Sequence, residues 1–254
     1  MTLLERRATK KVISLEIALI SYKESVSKII TFSKNKISSY VCFANVHMVI
    51  EAYRDENFAD QVNRATLVLA DGMPIVKTLF FLYKEVQDRI AGMDIMPDLI
   101  KAAEDSNLKI LFFGTTPEIL ERIKTKIERE FPKVQIVGLL SPPFDRSLDD
   151  DIYVEAINSS GAHLVFVALG CPKQEKWMAN HSHKINAVLL GVGGAFPVYA
   201  GVTKRAPLFM RKLALEWGYR LFQEPRRLFK RYLITNSLFI YLVIKVKIKS
   251  ILFG

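Results

Sequence analysis

Six short apolar runs constrain this chain more than any other feature. Ser39–Ala44, Thr66–Ala70, Lys109–Phe113, Val134–Gly138, His163–Leu169 and Ala187–Gly191 have the length and near-continuous hydrophobicity of strands covered on both faces. Apolar residues at helical spacing occupy the intervals: Tyr22–Ser33 ahead of the first run, then Val46–Tyr53, Asn57–Asn63, Met73–Tyr83, Asp94–Asp105, the stretch to Phe131, Leu148–Ser159 and the stretch to His183. Parallel neighbours need crossover connections, and helices of this length supply them. The expected class is therefore α/β, a Rossmann-like, mostly parallel sheet flanked by helices. Val12–Ile20 alternates and reads as the beginning of a further strand. Residues 1–11 are polar.

Charge divides the chain. From Gly201 onward there are 12 Lys or Arg against Glu216 and Glu224, a net +10, which is the formal charge of the whole chain. Residues 1–200 are therefore neutral overall, and 201–254 form a basic helical C-terminal appendage, with helices expected over Arg205–Tyr219 and Glu224–Ser237. Phe209, Trp217, Tyr219, Phe222 and Phe229 interleave with the cations, and Ile244–Phe253 alternates apolar and cationic residues. Such a segment fits an anionic lipid surface; a nucleic-acid surface is the alternative, since aromatics also stack bases. The longest apolar run there, Leu238–Ile244, is far shorter than the ~20 residues of a spanning helix. The start, MTLLERRATKKV, lacks the apolar run of a signal peptide, so a cytoplasmic location is expected. Removing everything after about Ala200 is expected to leave the body folded and abolish membrane association.

Candidate chemistry falls at the ends of the apolar runs. Asp71-Gly72 follows one of them and precedes a helix with Pro74 in its first turn. A carboxylate there, beside a glycine that lets substrate approach, suits a general base, and a helix N-cap is the competing reading. Gly114-Thr-Thr-Pro117 is either a phosphate-binding turn or a plain turn with a threonine cap. Gly170-Cys-Pro-Lys-Gln-Glu175 gathers three polar heads including Gln174, and Gly191-Val-Gly193-Gly194 offers backbone to a ligand. An early Gly-x-Gly-x-x-Gly is missing, which, with the basic tail left unexplained, argues against a nucleotide-dependent oxidoreductase, and no Walker-type Gly-Lys-Ser/Thr occurs. The histidines lack metal spacing; His181 and His183 read as solvated, and Asp149-Asp-Asp151 as a complement to a helix dipole. No essential metal or other cofactor is expected. Cys42 and Cys171 read as reduced core thiols.

Taken together, Asn45, Ala70-Asp-Gly-Met-Pro74, Gly92-Met-Asp94, Phe113-Gly114, Ser141-Pro-Pro-Phe144, Leu169-Gly-Cys-Pro-Lys-Gln-Glu-Lys-Trp177, Gly191-Val-Gly-Gly-Ala-Phe196, Ala200-Gly201, Arg205-Ala-Pro207 and Leu215-Glu-Trp217 through Arg231-Tyr232 resemble the WecG/TagA/CpsF family of glycosyltransferases from about residue 40 to 232. The resemblance implies an inverting, metal-independent transferase, peripheral on the inner face of the bacterial plasma membrane. It would move N-acetylmannosamine or its uronic acid from a UDP-sugar to a polyprenyl-diphosphate-linked acceptor, for surface polysaccharide or teichoic acid. It implies Asp71 as general base, and Asn45, Arg89 and Gln174 lining the nucleotide-sugar pocket, alongside Gly72, Gly114, Gly191 and Gly193. Arg220, Arg227 and Arg231, with Arg205 at the start of the appendage, would meet the lipid diphosphate and the anionic membrane surface. Nucleic acid is not an expected partner, and a homo-oligomer is compatible. Phe43, Pro143 and Pro197 depart from the residues common in the family at positions that plausibly touch the sugar pocket.

Overall fold

The structure, a computed structural model, describes residues 8–143, 150–207, 210, 216–223 and 225–253. Phe144 and Asp149, named above, lie outside the described residues. An antiparallel hairpin, β1 (Thr9–Val12) and β2 (Leu15–Ala18), occupies the alternating N-terminal stretch and pairs Val12 with Leu15. After it come α1 (Tyr22–Lys34), β3 (Ser39–Ala44), α2 (Val46–Arg54), α3 (Glu56–Asn63), β4 (Leu67–Ala70), α4 (Met73–Tyr83) and α5 (Gly92–Asp105). Then follow β5 (Lys109–Gly114), α6 (Pro117–Glu130), β6 (Gln135–Leu140), α7 (Asp150–Ser160), β7 (Leu164–Ala168), α8 (Lys173–His181), β8 (Val188–Gly191) and α9 (Ala195–Tyr199). The six strands β3–β8 form one parallel sheet in the order β4-β3-β8-β7-β5-β6, the architecture expected from the six runs. β8, last in the chain, is central.

Alternation along each strand builds two cores. Cys42, Ala44, Val68, Leu111, Phe113, Val165, Val167 and Leu189 face one side, where α2, α3, α4, α7 and α8 cover them. Val41, Phe43, Leu69, Ile110, Phe112, Phe166 and Leu190 face the other, under α1, α5, α6 and α9. On that second side Phe112 stacks on Phe166 at 5.2 Å and meets Phe196 edge-on at 5.5 Å. Phe43 is thus a core residue, 3% exposed, and its departure from the family pattern is a packing change.

The charge break at Gly201 does not coincide with a break in packing. Residues 201–207 are non-helical, so the helix expected from Arg205 does not start there; Pro207 disfavours helical backbone at Ala206. Helix Glu216–Gln223 follows, and then one continuous helix, Pro225–Phe253, rather than a helix ending at Ser237 and a separate alternating tail. That last helix packs on α2 and α4, and its Phe239, Leu242 and Val243 belong to the same core cluster as β3, β5 and β7. Its Ile240, Ile244, Ile248 and Ile251, at three- to four-residue spacing, are exposed, with Lys245 and Lys249 beside them. Lys247 reaches back over the Phe81 ring at 5.7 Å. No helix among the described residues is long and apolar enough to cross a membrane.

Candidate active site at the carboxyl edge of the sheet

The carboxyl ends of the parallel strands bring the candidate residues to one edge, where open α/β sheets bind ligands. Ala44 and Ala70 are register partners on β3 and β4, and Asp71 continues the ladder by donating its N–H to the Ala44 carbonyl at 2.9 Å. Asn45 and Asp71 therefore stand next to each other, one residue past their strands. Asn45 caps α2, its Oδ1 accepting from the Met48 N–H at 3.1 Å. Asp71 is not a cap: α4 begins at Met73, and its N-cap is Gly72, with φ of 100° and no side-chain cap bond. Gly72 thus holds the N-cap position, and Asp71 stands one residue before it, at the strand end.

Arg89 is delivered to the same place. The Ile90 N–H donates to the Ala70 carbonyl at 2.8 Å, so the segment before α5 runs alongside the end of β4. Arg89 Nη2 donates to Asp94 Oδ2 in the first turn of α5, and Arg205 Nη2 donates to the other oxygen, Oδ1, at 2.5 Å. One carboxylate holds two guanidinium groups, one from the body and one from the start of the appendage. Nearby, Tyr22 Oη donates to Asp98 Oδ2 at 2.6 Å; burial and the neighbouring carboxylates push its phenol well above the usual range. The backbones of Arg220, Arg227 and Arg231 lie in the two C-terminal helices, and their side chains lie outside the described residues.

The floor of this edge is the loop after β8. A Cβ at Gly191 would sit 2.6 Å from Met178 Cε and 3.2 Å from Gln174 Nε2, so both side-chain ends of α8 would have to move to admit one. Gln174 is 4% exposed: its Nε2 donates to the Gly191 carbonyl at 2.9 Å, and its Oε1 accepts from the Gly170 N–H at 3.3 Å. It ties the ends of β7 and β8 together from beneath, touching Gly193 as well. Gly114, with φ of 114°, lies against β7, where an added Cβ would meet the Ala168 oxygen at 2.4 Å. Thr116 caps α6, accepting from the Ile119 N–H at 3.5 Å, which matches the plain-turn reading of Gly114–Pro117. Ser141 Oγ donates to the Thr115 carbonyl at 2.6 Å and joins β6 to that turn.

Sequence reasoning gave Asp94 no role and took Glu175 only as one of three polar heads at a strand end. The Arg89-x4-Asp94 spacing at a helix start was the available signal for the first. Glu175 is fully buried against Gln174, Nε2 of which donates to its Oε1 at 2.6 Å. Burial pushes the Glu175 carboxyl up to about 7, against the hydrogen bonds from Gln174 and Cys171 that pull it down. Burial also raises the Cys42 and Cys171 thiols, both free. His181 is buried, contrary to the solvated reading: it stacks on Trp177 at 5.1 Å, and its Nδ1 pairs with the Trp177 carbonyl at 2.8 Å. His183 is exposed as expected. Groups of His, Cys, Asp or Glu arranged to hold a metal do not occur among the described residues.

A carboxyl whose pKa is raised by folding binds its proton more tightly in the native state. It therefore favours folding below its unfolded value of 4.5, and that contribution is lost as pH climbs through about 7. Wild-type stability is expected to fall between about pH 5 and pH 8 by up to roughly 3 kcal/mol from this group. Glu175→Gln should flatten that slope in thermal melts; an unchanged slope would contradict a neutral Glu175 in the folded protein.

Comparison with known proteins follows the same edge-lined body and its basic extension. The profile of the glycosyl transferase WecG/TagA/CpsF family matches residues 10–251. An N-acetylglucosaminyldiphosphoundecaprenol N-acetyl-beta-D-mannosaminyltransferase of Staphylococcus aureus strain MW2 is 30% identical over 257 residues, covering 98% of each chain. The protein of the same name from strain NCTC 8325 / PS 47 is similar to the same extent, 30% over 98% of each chain.

Proposed function

This chain belongs to the glycosyl transferase WecG/TagA/CpsF family and is a glycosyltransferase, and we propose that it moves N-acetylmannosamine or a closely related hexose or uronic acid from UDP to undecaprenyl-diphosphate-linked N-acetylglucosamine. The observation that carries this reading is Asp71: a carboxylate past the end of β4, one residue before the Gly72 N-cap of α4 and adjacent to Asn45 and the Arg89 segment. The relatives' names support the acceptor and the sugar.

In this mechanism the acceptor hydroxyl oxygen attacks the anomeric carbon as Asp71 takes the hydroxyl proton. The bond from that carbon to the diphosphate oxygen breaks, and UDP departs with the electron pair. Arg89 offsets the charge on the departing diphosphate, a role that requires fixed donors where charge develops. With cations supplied by side chains, no divalent metal is required.

The donor and acceptor are tested by transfer from a panel of UDP-sugars to a short-chain prenyl-diphosphate-linked N-acetylglucosamine, with chelator present. Transfer that is fastest from UDP-N-acetylmannosamine supports the assignment; turnover from none of the donors overturns it.

The same reading has the enzyme work at the cytoplasmic face of an anionic membrane, where a polyprenyl acceptor resides. Its support is the outward row Ile240, Ile244, Ile248 and Ile251 with flanking lysines, apolar residues for the acyl boundary and cations for the headgroups. Ile244→Ser with Ile248→Ser leaves the core-facing Phe239 and Leu242 intact. The double substitution is expected to reduce cosedimentation with phosphatidylglycerol-containing vesicles by about tenfold or more, since each buried side chain contributes roughly 1.5–3 kcal/mol. Undiminished sedimentation would mean that this face is not the lipid contact.

A further inference from the structure

Asp94 has both carboxylate oxygens committed to arginines that come from separate parts of the chain. Oδ2 accepts from Arg89, and Oδ1 accepts from Arg205 at 2.5 Å. Arg89 is anchored beside Asp71 through the adjoining Ile90–Ala70 backbone bond of 2.8 Å. Arg205 belongs to the segment that leads into the appendage, and the next residue, Ala206, is buried. The Arg205 Nε is itself buried and has no hydrogen-bond partner among the described residues. All three side chains are only partly exposed, 18% for Arg89, 22% for Asp94 and 25% for Arg205. Among these three residues the formal charge is two positive against one negative, with a second carboxylate, Asp98, joined to the neighbouring Tyr22.

We propose that Asp94 is a positioning residue that holds Arg89 and Arg205 as a paired-guanidinium clamp for a diphosphate at the edge carrying Asp71. The inference rests on the glycosyltransferase reading for its ligand, since both substrates named there carry a diphosphate. Guanidinium groups bind phosphate oxygens through donors in a fixed plane, so their orientation matters as much as their charge. A carboxylate between two of them fixes both planes while neutralising only one charge. The same contact ties the first residues of the appendage to the catalytic edge, so the clamp forms only when segment 201–207 lies against α5.

The clamp makes a prediction whose sign separates it from simple electrostatics. Removing the negative charge of Asp94 raises the net positive charge by one, and Coulomb attraction alone would tighten anion binding. A lost orienting group loosens it instead. The experiment uses the full chain with pyrophosphate, UDP and geranyl diphosphate as calorimetric probes, on wild type, Asp94→Asn, Arg205→Met and the double variant, each with a thermal melt to confirm folding. Asp94→Asn is expected to weaken pyrophosphate binding about tenfold, the scale of one hydrogen bond to a charged group. Arg205→Met should do the same, and the double variant should be little worse than either single one, because the two act as a unit. Asp94-dependent loss of UDP binding assigns the clamp to the donor; loss of geranyl diphosphate binding assigns it to the acceptor. Unchanged or tighter pyrophosphate binding in a folded Asp94→Asn variant overturns the clamp, as do effects of the two substitutions that simply multiply. Asp94-dependent pyrophosphate binding without affinity for UDP or geranyl diphosphate keeps the clamp and sinks the substrate reading. Binding of UDP and of geranyl diphosphate that in both cases ignores Asp94 does the reverse.

Discussion

Asp71→Asn is expected to lower the rate of sugar transfer by about 10²–10⁴-fold while leaving the protein folded. Asparagine keeps the size of the side chain and the backbone bond from the Asp71 N–H to Ala44. It removes the negative charge and with it the capacity to take a proton. The N-cap position of α4 is Gly72, which the substitution leaves in place. A base substitution with its substrate pocket intact should change kcat far more than the apparent affinity for donor. A folded variant with full turnover would show that the acceptor proton goes elsewhere. A variant that melts much lower than wild type would show that the carboxylate is structural.

The second large effect concerns the last helix. Phe239→Ala is expected to cost about 3–5 kcal/mol, because the ring is 5% exposed and sits in the core cluster shared with β3, β5 and β7. Against a total of about 5–15 kcal/mol for a domain, that is a large share of the stability. Deleting the chain from Glu224 onward removes Phe239, Leu242 and Val243 together and bares the faces of α2 and α4 beneath them. The truncated chain is therefore expected to melt far below the full-length protein, where charge alone predicted an independent body. Lipid contact has to be tested with outward-face substitutions instead. A truncated chain that melts at the full-length temperature would contradict this packing.

What the sequence carried well was periodicity. The half-buried edge strand β6 still showed as a short apolar run, and strands buried on both faces leave continuous ones, so β3, β4, β5, β7 and β8 could be read locally. Strand order could not: the central position of β8 depends on pairing with β3 and β7, residues far away in the chain. The appendage misled for a different reason. In Ile244–Phe253 the lysines at 245, 247 and 249 interrupt the isoleucines and mimic a period of two. Ile244, Ile248 and Ile251 in fact keep the helical period within the continuous helix. His181 looked polar and hence solvated, although Trp177 four residues earlier offers both a ring and a carbonyl. At the edge, Asp71 was legible as a strand-end carboxylate but not separable from a cap until Gly72 was seen to hold that position. The Arg89–Asp94–Arg205 junction spans more than a hundred residues and left almost no local trace.

The most direct test of the account is the anomeric configuration of the product. Asp94 is engaged by two arginines, Asp98 accepts from Tyr22, and Glu175 is buried with its carboxyl raised to about 7. The reading proposed above gives Asp71 the part of single base in a one-step displacement, which inverts the sugar. Proton NMR of the disaccharide formed from an α-linked UDP-sugar is expected to show a β linkage. An α-linked product would require a second displacement and would contradict the role given to Asp71.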